Sequence, residues 1–251
     1  MSASNTSNSA SSVQAAIAAI AQQRIYFGHQ SVGYDILAGV AELLKESPGK
    51  SLRIVDSADP RELDKPGLVH SKIGTNTDPL SKLQAFTNAM DAGMGERADM
   101  ALMKFCYVDV EAHTDVPTLF ARYEECFASL RARHPRVRFA HITAPLTARP
   151  GGLKSFIKLR MGKSLWGDEQ NRRRHAFNEL LRAKYGPARE LCDLAKFEST
   201  DEHGQPFTHP YAGANQPCMH SSMTSDGGHL SQRGKAVIAR EFLSFLAGVQ
   251  A

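Results

Sequence analysis

Asp99 to Val108 reads D-M-A-L-M-K-F-C-Y-V, an almost unbroken apolar run bounded by acidic residues. It is too short to cross a bilayer, which takes about 20 residues. A strand with one wet face alternates apolar and polar residues. A run that is apolar on both parities needs cover on both faces, as in a parallel sheet between two layers of helices. This stretch therefore points to an α/β chain.

Ile25-Tyr26-Phe27, Ser51 to Asp56, Val137 to Thr143 and Glu190 to Phe197 supply further strand candidates. Between them run segments of helical period: Val13, Ile17 and Ile20; Ile36-Leu37 through Leu43-Leu44; Leu80, Leu83, Phe86 and Met90; Leu119, Tyr123, Phe127 and Leu130; Ile238, Phe242, Phe245 and Leu246. The alternation predicts one α/β domain over 13–251, with an irregular loop after Ala58-Asp59-Pro60. Residues 1–12 are rich in Ser and Asn and lack the basic and apolar regions of a secretory signal, so they read as a disordered tail. As the chain is given, this predicts a cytoplasmic location, or a periplasmic or secreted one if a leader has been removed. A net charge of +4 is too mild to argue for nucleic acid. Cys106, Cys126, Cys192 and Cys218 form no C-x-x-C pair and read as reduced thiols.

Two short stretches carry chemistry. In Arg24 to Gly33 (R-I-Y-F-G-H-Q-S-V-G), an apolar strand breaks at Gly28 and delivers Ser31 at the start of a helix, beside N–H groups suited to an oxyanion. Near the other end, S-D-G-G-H-L puts Asp226 and His229 in a glycine-rich loop. Serine needs a base to take its proton, histidine does so near neutral pH, and a carboxylate fixes the imidazole tautomer. Ser31, His229 and Asp226 are thus a candidate triad. The plainer alternatives are that Ser31 caps its helix and that the Asp-Gly-Gly-His loop is only a turn.

These blocks resemble those of the SGNH (GDSL-type) hydrolases, more narrowly a divergent bacterial branch carrying G-H-Q-S-V-G. Gly28, Ser31 and Gly33 match the first block, and Asp226 and His229 match the closing Asp-x-x-His. The resemblance runs over about residues 24–247. It implies a three-layer α/β/α flavodoxin-like fold with a central parallel sheet, and an esterase acting through an acyl-enzyme with no cofactor. It implies an oxyanion hole from Ser31, Gly74 and Asn76, and a small-molecule or carbohydrate ester as substrate. The sequence departs from the family at Gln30, where aspartate is usual, and at Phe105 to Asp109, where Gly-x-Asn-Asp is usual. His29, His70, Lys104 and Tyr107 are candidate substrate contacts. An acyltransferase using the same triad and a non-catalytic binding protein on the same fold remain open. No nucleic-acid partner, integral membrane segment or metal is expected, because the spacing of His203, His209 and His220 fits no standard zinc pattern.

Residues 149–184 break the rhythm. They hold ten Lys and Arg against three Asp and Glu, with Trp166, the only tryptophan, among them. They read as a basic insertion or lid, with a solvated helix face as the alternative.

Overall fold

The computed structural model describes residues 3–201 and 203–248. Its centre is a six-stranded parallel sheet in the order β2-β3-β1-β4-β5-β6, formed by β1 (Arg24–His29), β2 (Ile54–Asp56), β3 (Gly67–Lys72), β4 (Met100–Met103), β5 (Arg138–Ile142) and β6 (Leu191–Cys192). The double-sided burial expected of the apolar run is present. Met100 and Leu102 of β4 enter one core, while Ala101 and Met103 enter the other. β1 divides likewise, with Ile25 and Phe27 on one side and Tyr26 on the other.

Helices α1 (Ala3–Ile20), α2 (Ser31–Lys45) and α9 (Gln232–Gly248) cover the first face, where Ile17, Ile20, Val40, Phe242 and Leu246 are fully buried. The second face is covered by α3 (Pro79–Ala89), α5 (Val116–Arg133) and α7 (Asp168–Tyr185). Phe86, Phe127, Phe139 and Phe177 interlock there. A short turn, α4 (Gly95–Arg97), leads into β4. Asp78 and Asp115 accept hydrogen bonds from the first turns of α3 and α5, each with proline at its start. No helix among the described residues is long and apolar enough to cross a membrane.

Several expectations are corrected. The polar stretch expected as a tail continues α1 from Ala3, so the helix begins well before its buried stripe at Val13, Ala16, Ile17 and Ile20. Met1 and Ser2 lie outside the described residues. The loop after Pro60 contains β3, which pairs with β1 along its whole length. Strand pairing of Glu190 to Phe197 stops at Cys192, because Asp193 caps a new helical turn, α8 (Leu194–Glu198). The basic stretch splits in two. α6 (Leu153–Arg160) has no buried residue, whereas α7 buries Arg174, Phe177, Leu181 and Tyr185. A small antiparallel hairpin, β7 (Thr208–Tyr211) with β8 (Ala214–Pro217), follows α8. All four cysteines are unpaired.

Candidate active site

The carboxyl ends of β1, β3 and β4 converge where the strand order reverses, since the chain fills one side of β1 with β2 and β3 before crossing to β4. β1 ends at His29, Gln30 is extended, and Ser31 opens α2. The capping position belongs to Gln30, and its side chain makes no cap bond. Instead Gln30 Nε2 donates to the carbonyls of Ile73 and Gly74, both at 2.8 Å. This clamps the loop after β3 against the serine turn. Gly33 is required one turn later, because a Cβ there would lie 2.2 Å from the His29 ring.

Ser31, His229 and Asp226 come together across most of the chain. The Ser31 hydroxyl donates to His229 Nε2 at 3.1 Å, and His229 Nδ1 donates to Asp226 Oδ2 at 2.7 Å. Asp226 Oδ1 accepts from the backbone N–H groups of His229 (2.8 Å) and Gly228 (2.9 Å). These bonds to the ionised carboxylate hold its pKa down to about 2. The Asp226 side chain is 55% exposed, and that of His229 37%.

The loop carrying the pair is itself fixed. Thr224 Oγ1 donates to the His229 carbonyl at 2.7 Å, and Leu230 N donates to Asp35 Oδ2 of α2 at 3.1 Å. Lys235 of α9 pairs with the same carboxylate at 3.0 Å. The Tyr107 ring stands edge-on to His229 at 5.8 Å. Gly228 passes so close beneath Tyr107 that a Cβ would come within 2.6 Å of the ring.

Gly74 is left-handed at φ 55° and belongs to the loop clamped by Gln30. Asn76, exposed in the same loop, accepts on Oδ1 from Lys82 Nζ at 2.9 Å. That bond orients the amide and leaves its NH2 as the donor. Lys82 is fully buried and pairs with Asp109, also fully buried. Asp109 in turn accepts from Thr77 N (3.0 Å) and Cys106 N (2.6 Å), joining the Gly74–Asn76 loop to the segment after β4. Neither Gln30 as a clamp nor the Lys82–Asp109 pair was marked by sequence, where both look like ordinary surface residues.

Three expected substrate contacts are corrected by burial. His29 is 0% exposed, His70 5% and Lys104 1%. His29 Nε2 lies 3.0 Å from His70 Nδ1, and the His29 Nδ1 N–H donates to the Gln30 carbonyl at 2.7 Å. Burial lowers both imidazoles, His29 to about 4, so the pair is neutral at physiological pH. Lys104 Nζ donates to the Phe105 carbonyl at 3.0 Å, and burial lowers its pKa too. These groups support the floor of the site; only Tyr107 of the four stands at its edge.

Among the described residues no cluster of His, Cys, Asp and Glu is arranged to hold a metal ion. His209 lies beside Asp168, with Nε2 at 3.1 Å, and His220 caps its own turn through Ser222 N.

The fold has counterparts among solved structures. A GDSL-like lipase from Bacteroides thetaiotaomicron superposes with a TM-score of 0.52 at 12% identity, over 93% of this chain and 94% of that one. The structure of TesA gives 0.51 at 12% identity, over 90% and 98%. The fold is that of the GDSL-type hydrolases. No protein-family model matches the chain, and no curated protein matches it in sequence.

Proposed function

We propose that the protein is a serine esterase working through Ser31, His229 and Asp226. The observation that carries this reading is the continuous hydrogen-bonded line from Asp226 through His229 to Ser31, at 2.7 and 3.1 Å. A helix cap at Ser31 would need no histidine, and a simple turn at 226–229 would need no serine. Ser31 Oγ attacks the ester carbonyl carbon while its proton passes to His229 Nε2. The N–H groups of Ser31 and Gly74, with the Asn76 amide, receive the developing oxyanion. The C–O bond then breaks, the alcohol leaves with the proton from His229, and Ser31 is left acylated. Water, deprotonated by the same imidazole, releases the acid and restores the serine.

Asp226 holds Nδ1 protonated, so Nε2 is free to accept. Its pKa of about 2 keeps it charged through the working range of the histidine. An O-acylated carbohydrate is the substrate class that the sequence resemblance supports.

The test is a fluorophosphonate probe followed by peptide mass spectrometry. An adduct on Ser31, lost in Ser31→Ala and in His229→Ala, is the expected result. A folded wild type that takes up no probe would overturn the enzyme and leave a binding protein.

A further inference from the structure

α6 is an amphipathic helix with no buried residue. Leu153, Phe156, Ile157 and Arg160 fall at i, i+3, i+4 and i+7, the spacing of a buried stripe, yet Leu153 is 74% exposed, Phe156 56% and Ile157 48%. Eight large hydrophobic side chains are exposed among the described residues. Six of them lie in this one stretch: Leu153, Phe156, Ile157, Leu159, Met161 and Trp166. Isolated exposed apolar residues need no explanation, whereas a concentrated patch marks a surface that meets something.

The charges beside the patch indicate what it meets. Residues 149–167 contain five Lys and Arg and no Asp or Glu. Lys154 and Lys158 lie together along the flank of the stripe, and the Arg160 guanidinium sits 5.3 Å over the Phe156 ring. Lys154, Lys158, Arg160 and Lys163 form no ion pair among the described residues, although Arg149 is held by Asp168. An apolar face with an aromatic residue and uncompensated bases is the pattern of a helix lying in the plane of an anionic lipid interface. A dry protein partner would require those ammonium groups to be desolvated or matched one by one. A lipid surface accepts them without fixed geometry, since long basic side chains keep their heads in the headgroup layer.

The patch also adjoins the candidate site. Trp166 and Arg149 line a cavity of about 330 Å³ together with Thr224, Asp226 and Gly227 of the triad loop. We infer that α6 and Trp166 dock this protein on an anionic lipid surface, with the Asp226 loop facing it. Resting on the esterase reading, the further consequence is that its esters are presented at that surface.

The full chain is mixed with vesicles of phosphatidylglycerol and phosphatidylcholine, and separately with pure phosphatidylcholine, then sedimented. Because Trp166 is the only tryptophan, its emission reports insertion directly. Partition at least tenfold greater onto the anionic vesicles, with a blue shift of Trp166, is the expected result. The pairs Phe156→Glu/Ile157→Glu and Lys154→Glu/Lys158→Glu each lower partition at least tenfold, while hydrolysis of a soluble ester and the far-ultraviolet spectrum stay unchanged. Equal partition onto both vesicle types, or a Trp166 spectrum that does not move, would overturn the inference. So would binding lost in the lysine variant but kept in the Phe156/Ile157 variant, which means adsorption by charge alone with no role for the apolar face. A vesicle-independent dimer abolished by the Phe156 substitution would overturn it in favour of a second copy. Ser31→Ala must bind vesicles as the wild type does. Binding without probe labelling would sink the esterase and spare the docking, and labelling without binding would do the reverse.

Discussion

Asp109 and Asp226 are held by nearly the same set of donors and sit in opposite surroundings. Each accepts two backbone N–H bonds, and each touches one basic side chain, Lys82 or His229. Asp109 is sealed from water on every side, while more than half of the Asp226 side chain is exposed. In the sealed case the pair fixes backbone: it joins the Gly74–Asn76 loop to the end of β4. In the open case the carboxylate orients an imidazole, which in the proposed mechanism changes charge during turnover. A buried partner would oppose that change by desolvation, so an accessible cradle suits the imidazole. Burial, and not the donor set, separates the structural acid from the one proposed for chemistry.

The widest separation is expected in activity. Ser31→Ala and His229→Ala should each lower ester hydrolysis by about 10⁴-fold or more, and Asp226→Asn by about 10⁴-fold. Stability in all three should stay within about 1 kcal/mol by urea denaturation. A comparable loss of stability in Asp226→Asn would erase the contrast between the two acids.

Asp109→Ala should behave in the opposite way. It strands the Lys82 ammonium in a dry site, at about 3–5 kcal/mol on the same urea curve. Lys82→Met/Asp109→Leu should recover much of that loss, because removing both charges leaves neither unpaired. Failure of the double variant to recover would mean that the bonds to Thr77 N and Cys106 N matter more than the ion pair.

Gln30→Ala sharpens the comparison from between the two acids. It removes both bonds that hold Ile73 and Gly74 to the serine turn, for about 1–3 kcal/mol. If the Gly74–Asn76 loop receives the oxyanion, kcat should fall by up to about 10²-fold, with KM little changed.

The smallest effect is on pH dependence. The folded Asp226 carboxyl titrates near 2 against an ordinary value of 3.8. The ionised form is therefore the one favoured by folding. Its contribution is complete above about pH 4 and disappears as pH falls toward 2. The acid limb of the stability curve should flatten slightly in Asp226→Asn, and an unchanged limb would mean that solvent alone sets this carboxylate.

Local features were legible in the sequence, and long-range ones were not. β1, β4 and the two triad loops each announce themselves within ten residues, through an apolar run or a glycine-flanked polar pair. β3 was hidden because G-L-V-H-S-K places His70 and Ser71 in a buried strand. Ser71 is at home there only because Tyr26 Oη lies 2.9 Å away. α7 reads as basic surface, yet Arg174 is buried, with its guanidinium donating to the Val110 carbonyl, Thr147 and Asn171. Val110 and Thr147 come from distant segments, and Asn171, one turn away on α7, is itself tied to Thr147, so no local pattern marks the cluster. His29, His70 and Lys104 are hidden for the same reason: polar residues near a candidate nucleophile look accessible in sequence, and only the packing around them shows their burial. Gln30 is visible in sequence as a departure from the aspartate usual in the family that the chain resembles, but its role needs the loop that Gln30 grips.

Ser31 precedes His229 by 198 residues. During synthesis the proposed nucleophile leaves the ribosome long before the base proposed to activate it. At about 5–20 residues per second, the interval is roughly 10–40 s. Over that time the emerging chain carries only an ordinary alcohol. α2 must also wait for α9, the helix whose Lys235 shares Asp35 with the histidine loop. On the esterase reading, reactivity arrives with the last packing event, and the onset of activity doubles as a clock for completion of the fold.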